Sequence, residues 1–399
     1  MDTNFIIPEC FKAEGENYIT LPVIKLFAKE KELGPIMSRA EGLESIIEFA
    51  NSSKSSREDT LNWLDKVLKE GIKDIYLDCV TPDKNFPDDE KILGEYLQSK
   101  LDFPQNAHIC GNAYNGLISF VKYQFSKNND TTIISLYFCT KLHCHDIYNH
   151  TSTVTFPIVV DYLKESQILV GRAKSKSNLF EYMPSGFNID SARTTKAEKL
   201  IDKAINKSLE LLHLQKNETA LTFKNNIFKL LDKYTHTPKD IQEILGSHVS
   251  DIEELAKILM DRLGLDPRGK NALQRDLLNL TEKYLSIYWP NKNIFISDRD
   301  AYPTKLCATD QEESKVSQTT REENEPLQSK AVFFDNKKML YENKLCDSVL
   351  FHWKRINRLY FDEHFKVGIQ IKRKKCLVKF FDYTKEEDIQ NVLFSIVKS

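Results

Sequence analysis

Long apolar runs, abundant glycine and an excess of charge of one sign are all missing from this chain. No stretch of its 399 residues approaches the roughly 20 consecutive apolar residues that a bilayer-spanning helix needs. Met1 to Phe11 shows no basic leader followed by an apolar run. Neither membrane spanning nor secretion is therefore expected. Glycine accounts for only 13 residues, and no Gly-rich phosphate loop, nucleophile elbow or dinucleotide fingerprint occurs, which argues against loops tailored to nucleotide phosphates. Internal repeats and collagen-like periodicity are absent too. With 56 Lys and Arg against 58 Asp and Glu, the net charge of −2 excludes a protein that coats nucleic acid with its whole surface. Any phosphate contact must be local.

What is present is enough apolar sequence to build cores. Hydrophobic residues make up 41% and aromatics 11% of a chain long enough for two or three domains. Eight cysteines are scattered at 10, 79, 110, 139, 144, 307, 346 and 376, mostly among apolar neighbours, where thiols pack as small hydrophobes in a reducing compartment. A cytoplasmic protein is the expectation.

The pattern along the chain predicts an α+β fold in three parts. Residues 1–189 form a mixed domain, with a strand at Tyr18 to Leu26, a helix over Leu61 to Leu68 and a buried strand at Ile75 to Val80. Four β-rich runs then alternate with period two, namely Leu117 to Phe125, Thr132 to Cys139, Val154 to Val160 and Gln167 to Ala173, and they predict an antiparallel meander. Residues 190–290 read as helical, with cap signals at Thr195/Glu198, Thr237/Pro238/Asp240 and Ser250/Glu253. Residues 291–399 form a small α+β unit after an acidic, aromatic-free stretch at Ala308 to Lys330 that predicts an exposed loop. Within that unit, strands are expected at Asn293 to Ile296 and Ala331 to Phe334, a helix over Leu345 to Tyr360, a hairpin over Val367 to Phe381 and a final helix.

Charge is concentrated in one place. Between Phe351 and Lys379 stand Lys354, Arg355, Arg358, Lys366, Lys372, Arg373, Lys374, Lys375 and Lys379 against Asp362 and Glu363, a local balance of 9 − 2 = +7. Such an island on a slightly acidic chain is the footprint of a surface that meets phosphates. On the expected helix, Leu345, Val349, Trp353, Ile356 and Tyr360 form the core stripe, so Phe351 falls among Lys354, Arg355 and Arg358, where it could stack on a base. The tip Lys372 to Lys375 adds a basic β-turn. A solvated patch, or one facing an acidic protein, is the competing reading. The helix pair Pro238 to Leu245 and Asp251 to Leu263 has helix-turn-helix spacing, but its second helix is too acidic for a major groove.

Two further constellations carry chemistry. Cys139, His143, Cys144, His145 and His150 supply thiolate and imidazole, the ligands zinc prefers, yet they are almost contiguous and would have to bend tightly around one ion. Asp298 and Asp300 follow one expected strand, and Asp335 and Lys337 follow another. Together they resemble the acid-then-acid-x-lysine pattern of the restriction-endonuclease-like fold, which implies a magnesium-dependent nuclease. The leading expectation is a non-enzymatic component, without a resident cofactor, that binds nucleic acid or an acidic protein partner as a subunit of a multi-protein complex. Microbial defence or mobile-element systems are a setting for such a subunit, though no residue specifies it. The metal-dependent nuclease is the alternative.

Overall fold

A computed structural model describes residues 4–8, 11, 18–103, 116–128, 130–145, 151–184, 186–264, 266–309, 315–319, 324–359 and 361–399. The fold is α+β, built from antiparallel strand pairs and helices. The chain divides into two compact units. The first takes Met1–Thr219, Ile356–Asp362 and Lys372–Leu393, and the second takes Ala220–Arg355, Glu363–Ile371 and Phe394–Ser399. No helix among the described residues is long and apolar enough to cross a membrane.

The first unit begins with helices α1 (Leu21–Glu30), α2 (Arg39–Ser52) and α3 (Lys54–Lys69). These are followed by β1 (Lys73–Pro82), α4 (Glu90–Ser99), β2 (Ser119–Asn128), β3 (Thr131–His145), β4 (Thr151–Leu163) and β5 (Ile168–Lys174). Then come β6 (Leu179–Glu181), β7 (Thr194–Thr195), α5 (Ala197–Leu211) and β8 (Leu214–Lys216). The second unit contributes α6 (Ala220–Tyr234), α7 (Lys239–Ser247), α8 (Val249–Leu263), α9 (Lys270–Tyr288), β9 (Ala301–Thr309), β10 (Lys315–Thr319), α10 (Ala331–Asn343), β11 (Ser348–Lys354) and β12 (His364–Lys372). Strand β13 (Lys375–Phe380) and helix α11 (Glu386–Lys398) close the chain.

In the first unit the strand order is β13-β1-β5-β4-β3-β6-β7, with β2 on β3 and β8 on β1, and the pairings are antiparallel. The expected meander is β2-β3-β4-β5. Alternation along these strands gives each sheet face its own core. Leu136, Phe138, Ile158, Val160 and Leu169 pack with Leu200, Ile201, Ala204 and Ile205 of α5. Tyr137, Cys139 and Val159 point the other way, onto Val23, Ile24 and Phe27 of α1 and Leu64, Val67 and Leu68 of α3. Gly171 lets α5 approach closely, since a Cβ there would stand 2.6 Å from Ile201 Cγ2.

The segment from Tyr18 to Leu26 corrects the expectation of a strand. Pro22 lies in the first turn of α1, where its fixed φ suits a helix, and Val23, Ile24, Phe27 and Ala28 bury at helical spacing.

The second unit has a sheet of order β10-β9-β11-β12, again antiparallel. Part of the acidic stretch expected as a loop forms β10, and residues 310–314 and 320–323 within it lie outside the described residues. Three further expectations are corrected. Ala331 to Phe334 is the first turn of α10, and Asn293 to Ile296 is mostly a 3₁₀ turn capped by Asn291. The helix over Leu345 to Tyr360 is instead strand β11 and a following loop. The stripe at 349 and 353 fits periods of both four and two, and Phe351 decides between them. Val349, Phe351 and Trp353 all bury on one strand face, in a run of β-branched and aromatic residues.

Candidate functional site

The strand conformation moves two members of the basic island inward. Phe351 is 0% exposed and sits edge-on to Tyr234 and Trp353 at 5.7 Å each, so it is a core residue rather than a stacking platform. Arg355 is 5% exposed, its guanidinium 5.0 Å from the centre of the Phe365 ring, and its backbone N–H donates to Glu363. Half-buried Lys354 at the end of β11 and Lys366 of β12, opposite His352, also belong to the second unit.

Arg358, Lys372, Arg373, Lys374, Lys375 and Lys379 belong to the first unit. Arg358 is exposed, whereas Lys379 is half-buried across from Asp74, its ammonium 5.4 Å from the centre of the Phe381 ring. Residues 373 and 374 make a two-residue reversal with φ of 49° and 66°, both left-handed. The chain supplies carboxylates of its own to this turn. Lys372 Nζ lies 2.9 Å and Arg373 Nη1 3.5 Å from the Glu198 carboxylate, and Lys375 pairs with Asp202 and, at 3.5 Å, with Asp78. Partial burial pushes the Glu198 carboxyl up, but the Lys372 hydrogen bond and the neighbouring cations outweigh it and hold the group below the ordinary range. Lys374, at the tip, is exposed and has no ion-pair partner among the described residues.

Three of the four residues of the nuclease pattern, Asp298, Asp335 and Lys337, are engaged elsewhere. Asp298 and Asp300 lie in a loop rather than at a strand end, and Asp298 accepts from Arg299 Nε at 2.7 Å and contacts His236 at 3.3 Å. Asp335 and Lys337 are on α10, where Asp335 pairs with Lys283 and Lys337 Nζ lies 2.9 Å from Glu282 Oε2. The expected strand-end spacing is therefore not formed. No group of three or more His, Cys, Asp or Glu is assembled to hold a metal among the described residues.

Cys139, His143 and His145 share one face of β3, and His150 lies outside the described residues. His143 is buried and stacked on Tyr182 at 5.1 Å. Its Nε2 accepts from Met183 N at 3.1 Å, and its Nδ1 is 3.3 Å from Thr153 Oγ1. The lone pair a zinc ion would need is already used. His145 packs between Phe180 and Phe187, at 4.8 and 4.9 Å.

A different cluster, missed in the sequence, lies on the sheet face that carries α1 to α3. Asp161 of β4 is fully buried and binds Arg172 of β5, Lys69 Nζ at 3.0 Å and Ser135 Oγ at 2.5 Å. Arg172 Nη1 reaches Glu386 Oε2 at 2.6 Å. Glu70, at the end of α3, accepts from Tyr383 Oη and Glu386 N, both at 3.2 Å. Lys73 of β1 stands directly across from Lys174 of β5, and both ammonium nitrogens lie 4.8 Å from the Tyr18 ring centre.

The ionisation states follow from burial and charge together. Burial raises the Asp161 carboxyl, but Arg172 and Lys69 outweigh it and bring the group down to about 2. Burial leaves Glu70 above the ordinary carboxylate range. Lys73 is brought down to about 7, first by burial and then by the charges of Lys174 and Arg172, with Glu386 and Glu70 opposing. One signal was available in the sequence: Asp161 and Arg172 each interrupt an otherwise apolar strand.

No protein-family model matches the chain, and no curated protein matches it in sequence.

Proposed function

We propose that the chain is a non-enzymatic, cytoplasmic binding component, a subunit of a larger assembly. In this reading it meets nucleic acid through the basic turn Lys372 to Lys375, with Arg358 and Lys379 contributing from the same unit. What carries the reading is the backbone of the turn. Two-residue reversals of this hand favour Asn-Gly, because a side chain at positive φ costs about 1 kcal/mol per residue. Arg373 and Lys374 occupy both left-handed positions, and the Arg373 side chain is 78% exposed. Tolerating that cost keeps two cations at the tip, as expected where charge matters more than stability. Glu198 and Asp202 bind the flanking Lys372 and Lys375, with Glu198 also 3.5 Å from the exposed Arg373, so that in this reading Lys374 and an Arg373 released from Glu198 meet phosphates.

The test replaces Arg373 and Lys374 with Ser and measures binding to single- and double-stranded DNA and RNA across a salt series. Weaker binding with a slope reduced by about two charges is expected. Unchanged affinity and slope would remove the reading. Retained nucleic-acid binding with loss of an acidic protein partner would transfer the turn to that partner.

A further inference from the structure

We propose that α9 carries a self-association surface, on which the same helix of a second copy of this chain docks antiparallel. Leu273, Leu277, Leu280, Tyr284 and Tyr288 recur at intervals of four, three, four and four residues, which places them on one face of the helix. Leu273 and Leu277 are half-buried, whereas Leu280, Tyr284 and Tyr288 are 48%, 53% and 75% exposed. The buried side is the polar one. Glu282 and Ser286 are the buried residues of this helix, and each lies two positions beyond a stripe residue, about 200° round the axis. Glu282 accepts from Thr237 Oγ1 at 2.6 Å and from Lys337 Nζ at 2.9 Å, so α9 is fastened to its own unit by its polar back and turns the apolar stripe outward. The two tyrosine rings are stacked, 5.9 Å apart with 8° between their planes. A contiguous exposed apolar stripe of this kind marks an interaction surface.

The flanks of the stripe decide what covers it. On one flank Gln274 Nε2 donates to Glu253 of α8 at 2.8 Å, so the chain itself occupies that side of the N-terminal half. On the other stand Asp276 and Lys283, one heptad apart and therefore on the same edge. Asp276 is exposed and has no ion-pair partner among the described residues. Lys283 gives one N–H to Asp335 and keeps donors to spare. An occupant that matches this edge presents an ammonium level with Asp276 and a carboxylate level with Lys283. An inverted copy of α9 supplies both. Asp276 lies four residues before Leu280 and Lys283 three after it, so a two-fold axis at Leu280 brings each level with the other, and like edges meet in an antiparallel pair. The same axis sets Leu277 against Tyr284 and Leu273 against Tyr288 of the other copy, and places the two α8 helices at opposite ends of the seam. A parallel pair would instead turn the Asp276 edge toward the flank that α8 occupies. One helix seam is smaller than the roughly 1,600 Å² of a standard interface, so the association is expected in the micromolar range.

Sedimentation velocity of the full chain, from about 1 to about 300 µM, reads the association. The expected result is a reversible monomer–dimer shift that Leu280→Glu weakens by about tenfold or more, because the axis sets two glutamates side by side. A wild type that stays monomeric throughout, or a dimer that Leu280→Glu leaves unchanged, overturns the proposal and gives the stripe to a different partner. Asp276→Lys and Lys283→Asp should each weaken association when alone, since like charges then meet, and an equimolar mixture of the two should recover it, since each copy offers the sign the other lacks. A mixture that associates no better than either variant alone overturns the antiparallel arrangement. The wild-type series decides the first point without any variant, so a folding defect in one of them leaves the proposal open to refutation.

Discussion

Two sets of basic side chains in the same unit are handled in opposite ways. At the turn, exposed Lys372 and Arg373 and half-buried Lys375 each have a carboxylate within reach, although ion pairs at an exposed site contribute only about 0–1 kcal/mol. In the sheet interior, where leaving a lysine without an anion is most costly, Lys73 has no carboxylate within ion-pairing distance among the described residues and faces Lys174. The pairing thus does not follow the stabilisation it would bring. The turn is a set of cations held loosely in place. The buried amine is a group whose cost the rest of the core has to offset, a pattern typical of residues kept for chemistry rather than stability.

The comparison can be broken most severely at Asp161. Asp161→Ala leaves Arg172 and Lys69 without their shared anion and should destabilise the protein by about 3–5 kcal/mol in urea unfolding. The folded-state pKa of this carboxyl, about 2, lies below its unfolded value near 3.9, so its contribution is fully present above pH 4. As pH falls through 2 that contribution is lost, and wild type and variant should converge.

Lys73→Met should act in the opposite direction and stabilise the protein by about 1–3 kcal/mol at pH 7, because a hydrophobe replaces a desolvated amine. The folded-state pKa of about 7 lies below the unfolded value near 10.4, so the unfolded chain binds more protons between these limits. Wild-type stability therefore rises with pH across that window, and the advantage of the variant should be largest at or below pH 7 and shrink toward pH 10. Denaturant melts across this range measure both.

The smallest effect on stability sharpens the other half of the comparison. Glu198→Gln should change stability by less than about 1 kcal/mol. By releasing Lys372 and Arg373 it should also tighten nucleic-acid binding and steepen its salt dependence.

The meander was legible as a succession of β-branched and aromatic runs, and α5, α7 and α8 as apolar stripes, but the expected caps do not form: the residues before these helices are Lys196, Pro238 and His248, and none of them caps with its side chain. The segment after Leu345 was not legible, since Val349 and Trp353 satisfy strand and helix periods equally and only the burial of Phe351 separates them. The basic run was visible as composition, but its compensation was not. Glu198 and Asp202 lie 174 and 173 residues away from the lysines they bind. The buried cluster was harder still to read. A lysine at the start of an apolar strand looks like a solvated strand end until the β1–β5 register puts a second lysine opposite it and a helix layer covers both.

The most direct measurement is a side-chain NMR titration of Lys73 in the full chain, with Lys73→Met identifying the signal. A midpoint near pH 7 is predicted, from burial beside two cations. A midpoint near the ordinary lysine value of about 10.4 would contradict the account, since the amine would then be charged at neutral pH and satisfied within the fold.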